Sequence, residues 1–280
     1  MSALNNVQPC QISSIHLLYT EIVTVDLVKR ELSSIINKVG EVMKIDIAYL
    51  PGDIKQGNLS NTVCIVLDIF RATTTIVTSI SNGCRTIIPV LSTEEARDLA
   101  DRIGPALFAG ERQSIKIDGF DFGNSPFEFS REKVKDQTII MTTTNGTTAI
   151  KATEGAKCTL IGSFLNANAV CQKALKHGKN ILIVCAGTDG LLSLEDTLCA
   201  GFLVDILSEQ PDEVIHLSDS ARGALLMYTA VKDRLLQTVI KSRNGERLYN
   251  LNRLDDISYC LQSNKLKIVP EYVKGRIKLS

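Results

Sequence analysis

From Met43 onward the chain alternates short β-branched apolar runs with longer segments whose apolar residues recur at helical spacing. Residues 44–50, 63–69, 85–90, 106–109, 137–141, 157–161 and 180–185 read as strands. Between them helices are expected over residues 72–81, closed by Asn82 and Gly83, and over residues 93–103, capped by Ser92 or Thr93. Further helices are expected over residues 146–153, 167–177 and 194–207. Beyond these the pattern is chiefly helical until a last extended piece at residues 266–269. Strands alternating with helices imply an α/β fold, a largely parallel or mixed sheet flanked by helices on both faces. Repetition of the unit suggests two similar subdomains with a break near residues 130–137. With no low-complexity linker, they would share a sheet or a tight interface.

Residues 1–42 follow another pattern, a modest helical run at 27–39 among polar turns, with no glycine before Gly40. They are expected to be an N-terminal extension or a translated leader, with Met43 an alternative start just ahead of the first convincing strand. Residues 43–280 then hold the domain.

Composition narrows the classes of function. A chain of 280 residues with 44% hydrophobic content can bury a substantial core. Lys plus Arg and Asp plus Glu both number 31, so no broad electrostatic footprint for nucleic acid or an anionic membrane exists, and any anion must be caught locally. The eight cysteines form no CxxC pair and several sit in apolar runs, which fits a reduced, cytoplasmic setting. The sequence has neither an apolar stretch of spanning length nor the pattern of a signal peptide at its start.

Candidate chemistry falls where the strands end, the place where open α/β sheets bind ligands. Residues 68–75 (DIFRATTT) put Asp68, Arg71, Thr73 and Thr74 at a strand-to-helix junction, where helix N–H groups and a guanidinium can grip phosphate oxygens. Asp68 there can hold a metal or attack phosphorus; the competing reading is a structural Asp–Arg pair with capping threonines. Residues 142–147 (TTTNGT) offer a second anion cradle from Thr143, Thr144, Asn145, Gly146 and Thr147, or simply an over-capped helix start. It is not a P-loop, because the terminal Gly-Lys pair is missing. Glu111 and Arg112 follow Gly110, and the turn-rich loop 119–126 (GFDFGNSP) supplies Asp121 and Asn124 as ligands or as ordinary turn residues. Ser193 caps a helix whose first turn holds Glu195 and Asp196, which the helix dipole explains as readily as a metal does. His16, His177 and His216 lie outside every cluster and read as surface or packing residues. Carboxylates without softer ligands point to a hard cation, Mg²⁺ first.

These motifs, with GSFLN at 162–166 and CAGTDGLLSLEDTLCAG at 185–201, resemble in order and content the 2-phosphosulfolactate phosphatase family, from about Met43 to the C-terminus. Ser220, Gly223, Leu226, Asp255, Asp256 and Pro270 resemble weaker positions of the same pattern. One departure is Gln113–Ser114 after Arg112, where the family often has glycines. The resemblance implies Mg²⁺-dependent hydrolysis of (2R)-2-phospho-3-sulfolactate to 3-sulfolactate and phosphate, as in coenzyme M biosynthesis. Joined to the residues, it implies a metal held by some of Asp68, Glu111, Asp121, Glu195 and Asp196, with Arg71 as phosphate clamp and Asp68, Arg71 and Glu111 as the catalytic set. The nucleophile is either Asp68 or a metal-bound water. Thr73, Thr74, Asn124 and the second cradle would contact substrate, and Arg112, Lys116 and Arg222 would meet its sulfonate and carboxylate. The expected partner is a small anionic phosphorylated substrate rather than nucleic acid or membrane, with a homodimer as the expected oligomer. A phosphatase for another phosphorylated hydroxy acid and a non-catalytic anion-binding regulator are the alternatives.

Overall fold

The computed structural model describes residues 42–54, 59–209 and 214–279. The leader reading of residues 1–42 therefore falls outside the described residues, apart from Val42. Among the described residues eleven strands form one mixed sheet with helices on both faces, as the alternating pattern predicts. In chain order the strands are β1 (Met43–Ala48), β2 (Val63–Leu67), β3 (Thr86–Pro89), β4 (Leu107–Arg112), β5 (Ile115–Lys116), β6 (Thr138–Thr142), β7 (Cys158–Ile161), β8 (Asn180–Cys185), β9 (Ile215–Leu217), β10 (Pro270–Val273) and β11 (Arg276–Leu279). The helices are α1 (Ala72–Ser81), α2 (Thr93–Ile103), α3 (Arg131–Val134), α4 (Gly146–Lys151), α5 (Ala167–His177), α6 (Leu194–Ser208), α7 (Asp219–Val231), α8 (Leu235–Val239), α9 (Arg243–Asn250) and α10 (Leu254–Cys260).

Spatial order is β5-β4-β6-β3-β11-β10-β7-β2-β8-β1-β9. Two parallel sections, β4-β6-β3 and β7-β2-β8-β1-β9, are stitched together by the antiparallel hairpin β10–β11. β6 follows residues 130–137, yet pairs with β3 and β4 from before them. Residues 266–269 form a connector instead of the last strand: Leu266 N donates to Leu165 O, and Asn166 Nδ2 donates to Ile268 O. The strands come just after it, each only four residues long, too short for a period-two pattern to stand out. There Lys274 and Gly275, both at positive φ, make the two-residue turn that suits a twisted hairpin. Tyr272 and Ile277 of this hairpin enter the core.

The sheet divides its apolar side chains by strand alternation. Ile65 and Leu67 of β2 pack under α5, α6 and α7, while Val66 faces α1 and α4. All five residues of β2 are buried, as expected for a central parallel strand covered on both faces. α6 is apolar all round and packs closely on α7, where a side chain on Gly201 would strike Ala224 O at 2.2 Å. No helix among the described residues is long and apolar enough to cross a membrane.

Candidate active site

Three antiparallel pairings separate the two parallel sections, so β2 and β8 run opposite to β4 and β6 in the sheet, yet the loops after them meet where a side chain on Gly146 would touch Asp68 Oδ2, and the acids gather there. Asp68 follows β2, Glu111 lies in β4, and Glu195 and Asp196 form the first turn of α6 after β8. Dipole stabilisation alone does not explain that first turn, because Glu195 and Asp196 are 1% and 2% exposed. Asp196 receives Ile69 N–H at 2.8 Å and Gly187 N–H at 3.2 Å, so it ties the β2 and β8 loops together. Glu111 similarly accepts from Thr144 N at 2.8 Å and Ser114 N at 2.7 Å. Two carboxylates keep unspent oxygens. Asp68 Oδ1 accepts from Ala72 N at 3.2 Å while Oδ2 faces Gly146, and Glu195 Oε2 is buried without a hydrogen-bond partner among the described residues.

Burial pushes the Asp68 carboxyl up to about 7; Glu111 and Glu195 add to the rise, against the pull of the Ala72 N–H and Arg71. Burial also raises Glu195, and raises Asp196 well above the usual range with the negative charges of Asp68 and Glu195 adding to it. Such a cluster stores electrostatic repulsion that a cation or a proton relieves.

Arg71, the residue before α1, points its guanidinium into the same region, and the Phe70–Arg71 peptide is cis. Arg71 Nη1 donates to Asp256 Oδ2 of α10 at 2.6 Å, and Nη2 donates to Ser114 O at 2.9 Å. Asp256 Oδ1 in turn accepts from Ser125 Oγ at 2.7 Å. Asn244 of α9 donates to Phe70 O from the other side. Asp256, Ser125, Ser114 and Asn244 are therefore residues of the site that sequence reasoning missed. Ser125 lay within the GFDFGNSP motif, Ser114 in the departure after Arg112 and Asp256 at a weaker position of the family pattern, but none carried a role.

Several sequence candidates play bracing roles. Thr73 Oγ1 donates to Asp68 O, Thr74 Oγ1 donates to Ile69 O, and Thr75 Oγ1 donates to Asn124 O, so the threonines pin the strand-to-helix turn. Thr143 and Thr147 cap each other across the start of α4, and Thr144 and Asn145 lie at its more open rim. Asn124 is buried, with Oδ1 unpartnered among the described residues, next to the Ser125–Asp256 link. Arg112 reaches Thr142 Oγ1 at 3.1 Å from the exposed edge of the site, and Lys116 is exposed opposite Glu111. Arg222 stands exposed on α7, beside the β9 edge, and pairs with none of the clustered acids. Asp121 is also exposed, and its Oδ2 accepts from Phe108 N at 2.7 Å near the start of β4, so it caps a strand instead of joining the four acids.

The Gln113–Ser114 departure has a backbone meaning. Both residues have positive φ, 51° and 67°, in the two-residue β4–β5 turn, a conformation that glycine adopts without cost. The functional contacts of this turn come from the Ser114 backbone, so a change of side chain preserves them.

Gly146 is sterically required. A Cβ there would lie 2.6 Å from Asp68 Oδ2 and 2.6 Å from Ala72 Cβ. Gly146→Ala is expected to push α4 off Asp68, lower stability by about 1–3 kcal/mol and cut activity by roughly tenfold or more. Thermal melting and phosphate-release assays check both parts; wild-type activity in the variant would show that the α4 start is not coupled to Asp68.

Comparison with known proteins agrees with this arrangement. A family model described as 2-phosphosulpholactate phosphatase matches residues 48–275. A Clostridium novyi (strain NT) protein named a probable 2-phosphosulfolactate phosphatase is 41% identical over 231 residues, 82% of this chain and 97% of its own. A Clostridium acetobutylicum protein of the same name is 39% identical, covering 84% of this chain and all of its own length. A third, from Clostridium tetani, is 35% identical over the same share. With the match running through every strand-end cluster of acids and Arg71, the chain belongs to the 2-phosphosulfolactate phosphatase family.

Proposed function

We propose that this chain is a cytoplasmic, magnesium-dependent phosphoric monoester hydrolase that converts (2R)-2-phospho-3-sulfolactate to 3-sulfolactate and phosphate, within coenzyme M biosynthesis. The substrate rests on family membership and the name its relatives carry. The metal rests on one observation, the unpartnered buried Glu195 Oε2 within an all-oxygen acid cluster that also leaves Asp68 Oδ2 unspent. Mg²⁺ favours one or two carboxylates together with substrate phosphate oxygens, and Asp68 with Glu195 fits that demand. Glu111 and Asp196, already satisfied by backbone N–H groups, would hold the loops around it. The bound cation would supply neutralisation of charge on the phosphoryl oxygens.

The protein groups divide the remaining work. Arg71 has N–H donors left after Asp256 and Ser114 O are served, and these would grip a phosphoryl oxygen in a fixed orientation. Asp68, ionised beside a bound cation, would either help hold that cation or attack phosphorus through Oδ2. Arg112, exposed at the rim, would meet the sulfonate or carboxylate.

Phosphate release from a panel of phosphorylated hydroxy acids, with Mg²⁺ and with chelator, tests the reading. Mg²⁺-dependent release from phosphosulfolactate above the rest of the panel is expected. Preference for another ester would move the substrate, and release unaffected by chelator would remove the metal.

A further inference from the structure

The N-terminal ends of the central strands, opposite the acid cluster, carry a second group of ligating side chains. Cys158 opens β7, His177 closes α5 and Glu271 lies on β10, and one ligand atom from each falls within 4.8 Å of the other two. Sequence separations of 19 and 94 residues concealed this group, which assembles because β10 pairs antiparallel with β7 beneath α5. Cys158 Sγ already lies 3.3 Å from Glu271 Oε1. Zinc bond lengths of about 2.0–2.3 Å put neighbouring donors of a tetrahedral site roughly 3.4–3.6 Å apart, so the S···O pair is near bonding separation. Rotation of the half-buried His177 imidazole can close the rest of the set.

The surroundings suit such a role. Lys173, one turn before His177 on α5, holds Glu271 Oε2 at 3.3 Å, which leaves Oε1 directed at Cys158 and resembles the outer hydrogen bonds that orient metal ligands. A thiolate and a carboxylate balance a divalent charge, and a sulfur–nitrogen–oxygen set prefers a borderline-soft ion, whereas the acid cluster offers oxygen alone. We propose that Cys158, His177 and Glu271 form a second metal site, for zinc or an ion of similar softness, which clips the β10–β11 hairpin to β7 and α5. An external ligand would complete the coordination.

Cobalt titration of the metal-stripped full-length protein tests this site separately from catalysis. One Co²⁺ per chain should produce a thiolate-to-cobalt charge-transfer band that Zn²⁺ abolishes and excess Mg²⁺ leaves intact; cobalt on the acid cluster gives no such band. Cys158→Ala should lose the band. His177→Gln, at the half-buried end of a helix, should keep the fold and weaken cobalt and zinc binding roughly tenfold or more. Zn²⁺ should raise the melting temperature of wild type but not of His177→Gln. Absence of a thiolate band in wild type, its persistence in Cys158→Ala, or an equal zinc-induced melting shift in His177→Gln would each overturn the proposal.

Discussion

Asp68→Asn is expected to lower turnover roughly 10³-fold or more while the metal-free protein melts at or above the wild-type temperature at pH 8. The activity loss follows from removing the one unspent Asp68 oxygen that faces Gly146, together with its charge. The retained stability follows from the cluster, where Asp68 raises the carboxyl of Asp196 and is itself raised by Glu111 and Glu195. An amide of the same shape removes that repulsion and still accepts the Ala72 N–H. Stability against pH should change in the same variant. Asp68 binds its proton more tightly folded, with a pKa of about 7, than unfolded, near 3.9. Its contribution is therefore fully present below about pH 4 and lost as the pH rises through 7, a change on the order of a few kcal/mol. Metal-free wild type should lose stability across that window, Asp68→Asn should show a flatter profile, and Mg²⁺ should restore wild type at pH 8. Full activity in the variant would remove Asp68 from the mechanism, and a large fall in its melting temperature would assign the loss to unfolding.

Asp256→Ala should be the most damaging single change to stability near the site. Arg71 and Asp256 are each 3% exposed and 2.6 Å apart, and removing one partner of a buried pair costs about 3–5 kcal/mol. A chain of this size should then melt about 6–20 °C lower, with Ser125 Oγ also losing its acceptor. Activity should fall too, because Asp256 sets the direction of the Arg71 guanidinium. An Arg71→Met/Asp256→Leu double variant separates the two effects: it should regain most of the stability and none of the activity. A wild-type melting curve for Asp256→Ala would show that the pair contributes nothing to the fold.

The strand-end clusters were legible because they are local. The run from Asp68 to Thr75 signals both the end of β2 and the start of α1, whose bounds follow from its composition and from Asn82–Gly83. α2, α5 and β8 were similarly readable from caps, glycine stops and continuous apolar runs. Short, charged strands were not. β5, β9 and β11 span only two, three and four residues, too few for alternation to mark a strand, and β11 sits mid-sheet because its neighbours supply the pairing. Among the acids, Asp121 and Glu195 were equivalent candidates by residue type. Position in the fold sent one to the surface as a strand cap and the other into the buried cluster.

By itself the sequence determined an α/β scaffold, the order of its motifs and a family resemblance that holds across most of the chain. Each depends on neighbouring residues: helix periodicity, caps, turn chemistry and the content of single loops. Only the tertiary structure decided that Arg71 is anchored by Asp256, 185 positions away, and that Glu195 is left with a bare buried oxygen. It also brought Cys158, His177 and Glu271 together at the far end of the sheet. Those outcomes depend on strand order and on which face of each helix turns inward, and a carboxylate's charge, partners and burial are properties of that packing.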